Sequence, residues 1–342
     1  MRYPKFLPDN GTIGFIAPSF GCVTEPYNHR FDSAIRKFNK LGYKTVEGPN
    51  CRVQVGEGKS NTPEACAAEA NDFFTNNKSD IIISCGGGEL MCEDIPYFDF
   101  KAISEAEPKW FMGYSDNTNL TFLLTTLCDT ASVYGPCAGE FGMEPWHKSL
   151  QDSMNILTGK CLTVSNYDMW EHEQEEEPAS PLSPYNLTTP YRQTLAGSAS
   201  IGTSFSGRLV GGCMDCLINL AGTEFDKVSE FADKYAGDGI IWFLEACDLN
   251  AMSIRRALWN LEHAGWFKHV KGFVIGRPRL YDDAFGNFDR IKAVTGILDK
   301  YNVPIILDTD IGHLSPMMPI ISGSYATVTC GDNNISIDMK LV

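Results

Sequence analysis

The run Asp80-Ile-Ile-Ile-Ser-Cys85 constrains the fold more than any other stretch. Three consecutive isoleucines offer solvent no polar face, so a strand built from them must be covered on both sides. The segments around it alternate in type. Thr12–Ala17 is a short apolar run closed by Pro18, and Tyr43–Glu47 reads as a second strand. Between them Phe31, Ile35, Phe38 and Leu41 recur at helical spacing. An alanine-rich helical stretch covers Pro63–Phe74. Trp110–Gly113 is another short strand, followed by a helical stretch from about Asn117 to Leu127. Such alternation predicts α/β architecture, with a parallel sheet flanked by helices.

From Gly207 onward the same logic applies. Gly239–Glu245, Phe273–Ile275 and Pro304–Leu307 read as strands. Ile254, Leu258 and Leu261 mark one helix, and Ile291–Tyr301 marks another. Ala326–Thr329 and Ile335–Met339, around Gly331-Asp-Asn-Asn334, predict an antiparallel hairpin. Between about 144 and 205 the pattern fails. The run Glu171-His-Glu-Gln-Glu-Glu-Glu177 and Pro178, Pro181, Pro184 and Pro190 read as a long acidic, proline-rich insertion, either functional or simply solvated. The expected organisation is therefore a nucleophile domain over residues 1–145, a linker or insertion over 146–206, and a second α/β domain over 207–342.

Chemistry concentrates at a few strand ends. Gly113-Tyr-Ser115-Asp-Asn117 places a serine on a sharp strand-to-helix turn, where nearby amides can stabilise an oxyanion. Asn117 stands where a Gly-x-Ser-x-Gly elbow would have its last glycine, and the same run is also an ordinary helix cap. Cys85-Gly86-Gly87-Gly88-Glu89 follows the isoleucine strand and permits close backbone approach, as a ligand cradle, an oxyanion loop or a tight turn. Of the six histidines, His147, His172, His263 and His269 stand in polar or helical contexts. His313 instead lies on a loop after a strand, where α/β sheets keep their active sites. Glu245 closes an apolar strand and is costly to bury without a partner. Asp248, Asp308 and Asp310 compete with it for the role of orienting acid. Cys213-Met-Asp-Cys216 has redox or zinc spacing, but Leu217, Leu220 and Ala221 suggest a helix that buries both thiols.

The formal charge of −15 argues against nucleic-acid or membrane-surface partners. No apolar stretch reaches 18 residues, and Met1–Asn10 lacks the apolar run of a secretion signal. The twelve cysteines read mainly as buried reduced thiols, and a cytoplasmic protein is expected.

Taken together, Ile13-Gly-Phe-Ile-Ala-Pro-Ser19, Gly86-Gly87, Gly113-Tyr-Ser-Asp116, Gly207-Arg-Leu-Val-Gly-Gly212, Leu244-Glu245, Gly276-Arg-Pro278 and Gly312-His313 resemble the LD-carboxypeptidase and microcin C self-immunity family of serine peptidases. The resemblance implies a Ser115–Glu245–His313 triad and an oxyanion hole from the amide of Asp116 and a glycine of the loop, Gly86 or Gly87. It implies an N-terminal parallel-sheet domain, a smaller C-terminal α/β domain, no metal or other cofactor, and a homodimer. The implied substrate is a small peptide or peptidyl-nucleotide. The long insertion is similar to that of the immunity branch, which cleaves peptidyl or aminoacyl nucleotides, and Trp170 and Tyr167 are its candidates for stacking on a base. The carboxypeptidase branch removes a terminal D-residue from murein peptides. A catalytically silent ligand-binding relative is a further reading. Cys213 stands where the family pattern usually has asparagine. Arg208 and Arg277 are candidates to bind a substrate carboxylate or to brace the protein.

Overall fold

The computed structural model describes residues 1–56, 58–172 and 180–342. It divides into two compact units. The first holds residues 1–162 and the described part of 175–185. The second holds the described part of 163–174 and residues 186–342.

The strands of the first unit are β1 (Thr12–Ile16), β2 (Lys44–Glu47), β3 (Ile81–Ser84), β4 (Trp110–Gly113) and β5 (Ser132–Tyr134). They pair in parallel in the order β5-β4-β3-β1-β2. All four residues of β3 are buried, as the isoleucine run requires. Parallel neighbours need crossover connections, and the helices Tyr27–Lys40, Pro63–Thr75, Phe100–Glu105 and Thr118–Thr126 supply them. The first of these buries Phe31, Ala34 and Phe38. Phe15 of β1 meets Phe31 edge-on, with ring centroids 5.2 Å apart. Leu41, expected on that apolar stripe, is 56% exposed, because the helix ends at Lys40 and Leu41 is its cap. The helix Pro63–Thr75 begins where Thr62 accepts from the Ala65 amide and Pro63 occupies the first turn. The order reverses between β1 and β3, which places the loops after these two strands at a topological switch point.

In the second unit the strands are β6 (Thr163–Ser165), β7 (Met169–Trp170), β8 (Thr189–Pro190), β9 (Thr194–Gly197), β10 (Ser204–Cys213), β11 (Ile240–Glu245), β12 (Val270–Gly276), β13 (Pro304–Thr309), β14 (Ile320–Ser322), β15 (Tyr325–Gly331) and β16 (Asn334–Lys340). Eight of them form one sheet, β6-β16-β15-β10-β11-β12-β13-β9. Its centre, β10 to β13, is parallel, and its flanks are antiparallel. The C-terminal hairpin β15–β16 turns through Asn333 at φ 51°. The buried rings of Trp242 and Trp266 stack at 5.7 Å beside β11.

Residues 146–206, set apart on sequence grounds, contribute to both units: the helix Lys148–Leu157 to the first, and β6 to β9 to the second. Strands of two to four residues are held by backbone pairing, so little alternation betrays them. The acidic residues 173–177 and Pro178 lie outside the described residues. All twelve cysteines are free thiols, most of them buried. Among the described residues no helix is long and apolar enough to cross a membrane.

Candidate active site

Ser115 leaves β4 at φ 62°, left-handed backbone that a non-glycine residue occupies at a cost of about 1–3 kcal/mol. A single 3-10 turn, Ser115–Asn117, then leads into the helix Thr118–Thr126. Gly113 permits this sharp reversal, because a Cβ there would stand 2.8 Å from the Asn117 side chain. The Ser115 amide donates to the Tyr134 hydroxyl at 3.3 Å. A Cβ on Gly87 would lie 3.3 Å from Ser115 Oγ, so the backbone of the glycine loop abuts the hydroxyl.

Two side chains lock that loop to the elbow. Asn117 Nδ2 donates to the Gly86 carbonyl at 2.8 Å and to the Tyr114 carbonyl at 3.1 Å. The residue that departs from the Gly-x-Ser-x-Gly pattern is therefore one of the two that bind the loops together. Asp116 Oδ2 accepts from the Ser19 hydroxyl at 2.5 Å and from the Met91 amide at 2.9 Å. Its Oδ1 accepts from Asn119 Nδ2 at 3.0 Å. Gly88, at φ 148°, must be glycine, since a Cβ would collide with Ser19 Oγ at 1.9 Å. Burial, with Asp116 and Glu93 nearby, raises the carboxyl of Asp94 to about 8. Sequence reasoning gave Ser19 no role. Its place at the end of the Ile13–Ser19 motif, just past a strand of the switch point, was the available signal.

In the second unit, Glu245 ends β11 fully buried. Its Oε2 lies 2.9 Å from His313 Nδ1, on the loop after β13. Glycines make the room. A Cβ on Gly312, at φ 106°, would come 2.5 Å from Glu245 Oε2, and one on Gly276 would meet the Ile311 carbonyl at 2.0 Å. The competing acids are committed elsewhere. Asp308 pairs with Arg290 at 2.7 Å, Asp248 with Arg279 at 3.0 Å, and Asp310 with Arg277. Burial opposes charge on the His313 imidazole. The Glu245 carboxylate outweighs it, with the Cys247 side chain hydrogen-bonded to the imidazole, and holds His313 well above its ordinary value. With Nδ1–H directed at the carboxylate, Nε2 is the nitrogen able to accept a proton. Asp215 steadies the turn after β11 by accepting from the amides of Cys247 at 3.0 Å and Asp248 at 2.9 Å. Nothing in the sequence pattern pointed to Asp215 or Cys247.

Cys213 is buried at the end of β10, in parallel register with Glu245. Burial, the neighbouring Cys216 and the Glu245 carboxylate raise its thiol well above the usual value. Both thiols of the Cys-x-x-Cys segment are buried at the start of the helix Met214–Leu220. Arg208 is buried, donates to Asp238 at 2.9 Å and lies 4.0 Å over the Tyr235 ring. Arg277 is likewise buried, donates to the Asp308 carbonyl at 3.0 Å and sits 4.6 Å from the centre of Trp170. Trp170 itself is 3% exposed and packs on Tyr281 at 5.1 Å. Tyr167 is buried, and its amide donates to Asp310 at 2.7 Å. These two aromatics and the Arg277–Asp310 pair thus form one packed cluster inside the second unit.

Residues 13–135 match the model of the LD-carboxypeptidase N-terminal domain, and residues 206–328 match that of its C-terminal domain. The chain is 27% identical to the microcin C7 self-immunity protein MccF of Escherichia coli, over 95% of this chain and 92% of that protein. It is 23% identical to a putative carboxypeptidase of Vibrio cholerae, over 100% of this chain and 99% of the relative. Among solved structures, it resembles MccF in complex with glutamyl sulfamoyl guanosine, with a TM-score of 0.82 and 22% identity over 99% of this chain and 98% of that one. It also resembles an MccF-like protein from Bacillus anthracis, with a TM-score of 0.83 and 22% identity over 99% and 100% of the two chains.

Proposed function

This chain belongs to the LD-carboxypeptidase family, and we propose that it is a serine amide hydrolase with Ser115 as nucleophile, His313 as base and Glu245 as orienting acid. The 2.9 Å contact between Glu245 and His313 carries this reading. A buried carboxylate against Nδ1 fixes the tautomer whose Nε2 can take a hydroxyl proton. The positive φ of Ser115 supports it, because strained backbone persists where a reacting group must be presented.

In this reading Ser115 Oγ attacks the substrate carbonyl as its proton passes to His313 Nε2. Amides of Asp116 and of Gly86 or Gly87 donate to the oxyanion, a contribution of about 3–4 kcal/mol per donor. The imidazolium gives its proton to the departing amine, the C–N bond breaks, and an acyl ester remains on Ser115. Water then loses a proton to His313, attacks the ester and regenerates the serine. Glu245 stabilises the imidazolium in both halves without being protonated itself.

The substrate we assign is a peptidyl or aminoacyl nucleotide of the microcin C type. Similarity to the self-immunity protein along nearly the whole chain supports it, as does the glutamyl sulfamoyl guanosine in complex with that protein. The second reading, removal of a terminal D-alanine from murein tetrapeptides, is favoured by the family's own description and by the Vibrio relative. A side-by-side assay on a peptidyl-aminoacyl-sulfamoyl adenosine and an L,D-linked tetrapeptide, with Ser115→Ala as control, separates them. Ser115-dependent cleavage of the nucleotide conjugate is expected. Cleavage of the tetrapeptide alone would move the protein to the second reading, and cleavage that survives Ser115→Ala would overturn both.

A further inference from the structure

Two strand ends and one loop bring three different metal-binding chemistries together in the second unit. Cys213 and Glu245 are partners in the parallel register of β10 and β11. Adjacent strands stand about 4.8 Å apart, so like-facing side chains at paired positions are neighbours. His313 arrives from the loop after β13 with Nδ1 already on the Glu245 carboxylate. One ligand atom each from Cys213, Glu245 and His313 lies within 4.8 Å of the other two. The ligands of a tetrahedral zinc ion stand about 3.3–3.8 Å apart, given bonds of about 2.0–2.3 Å. Side-chain adjustments of roughly an ångström would close the site.

We infer that Cys213 Sγ, the Glu245 carboxylate and His313 Nδ1 form a binding site for a thiophilic divalent cation, zinc above all, with a fourth position left for water. The donor set suits that choice. Thiolate and imidazole select zinc over magnesium or calcium. One thiolate and one carboxylate balance the two positive charges, and the Asp215 carboxylate, which accepts from Cys213 Sγ at 3.3 Å, adds further negative charge beside the ion. Binding forms metal–sulfur, metal–oxygen and metal–nitrogen bonds. The thiol proton leaves to solvent; the imidazolium releases its Nδ1 proton to solvent and keeps the one on Nε2, while in the neutral form the Nδ1 proton passes through solvent to Nε2. The Glu245–His313 hydrogen bond is replaced by coordination. On the hydrolase reading above, on which this consequence alone rests, the cation withdraws the base from Ser115 and is a reversible inhibitor.

Cobalt(II) reports the site directly. The wild-type chain, stripped by chelator and kept reduced, is titrated with cobalt while thiolate-to-cobalt charge transfer and the visible d–d bands are recorded. A saturable tetrahedral spectrum, displaced by zinc, is expected. Cys213→Ser and His313→Ala should each weaken cobalt binding by more than the about 10–100-fold that losing an outer-shell partner costs. Cys161→Ser, which alters an exposed thiol, should keep the spectrum. Circular dichroism of each variant verifies that it is folded. The absence of a spectrum in wild type, or its persistence in Cys213→Ser, overturns the assignment. In the activity arm, zinc should inhibit wild type reversibly by chelator, while whatever hydrolysis remains in Cys213→Ser should resist it. A Cys213-dependent spectrum in a chain that hydrolyses neither substrate would leave the metal site standing and sink the hydrolase reading.

Discussion

Ser19 and Asp116 are joined by a 2.5 Å hydrogen bond that ties the end of β1 to the residue after Ser115. The same Asp116 oxygen accepts from the Met91 amide, so one carboxylate holds both the strand end and the far side of the glycine loop. Ser19→Ala should let the loop drift from Ser115. A displacement of about 1 Å in a catalytic group costs up to about 100-fold, so kcat is expected to fall about 10–100-fold with little change in KM. Steady-state kinetics on the cleaved substrate, with the melting temperature as control, decides this. An unchanged kcat would mean that Ser19 has no positioning role.

Glu245→Gln keeps the shape of the buried side chain and removes its charge. On the proposed mechanism the imidazolium formed during reaction then loses its stabilising partner, and kcat should fall by about 10^3–10^4. As the proposed base, His313 must be neutral to accept a proton. Because Glu245 raises the imidazole, the acid limb of the wild-type profile should lie above that of the variant. Profiles of kcat/KM against pH test the shift, and coincident limbs would show that Glu245 does not set the histidine's protonation.

Trp170 lies against the Arg277 guanidinium and Tyr281 while almost fully buried. Trp170→Ala should destabilise the protein by about 3–5 kcal/mol, as expected for removing a large buried aromatic. Trp170→Phe should recover most of that loss, since a ring still covers Arg277. Urea unfolding of the two variants measures both numbers. Equal stability of Trp170→Ala and wild type would show that the ring is not part of the packed cluster.

Asp94 carries the clearest pH signature of stability. Its carboxyl is raised from 3.8 to about 8 by burial and by the nearby acids Asp116 and Glu93. A raised carboxyl makes its full contribution below the unfolded value, and that contribution is lost as pH climbs towards the folded one. Across this window the unfolded chain binds fewer protons, so the unfolding free energy declines with pH. The ceiling on that slope is about 1.4 kcal/mol per pH unit from this one group. Asp94→Asn should therefore gain on wild type between about pH 5 and pH 8. Parallel urea midpoints across that range would contradict the assignment.

The sequence by itself determined the layers and the places where chemistry could sit. Ile81–Ile83 has one folding solution, a strand covered on both faces, and β3 is fully buried. The hairpin at Gly331–Asn334 and the strand-to-helix turn at Ser115 were equally legible, because both are local: a few residues dictate the backbone. Glu245 and His313 could be named as candidates by type and by position at strand ends. Tertiary structure alone decided that Glu245, and not Asp248, Asp308 or Asp310, meets the imidazole, because each rival acid is claimed by an arginine distant in sequence. It alone paired Ser19 with Asp116, 97 residues away, and set Cys213 beside Glu245. The short strands β6 and β9 belong with these, since their partners lie over a hundred residues along the chain. The physical reason is common to all of them. Local pattern fixes which face of an element is buried, whereas sheet order and register fix which side chains share an ångström-scale neighbourhood, and those depend on the whole chain having closed on itself.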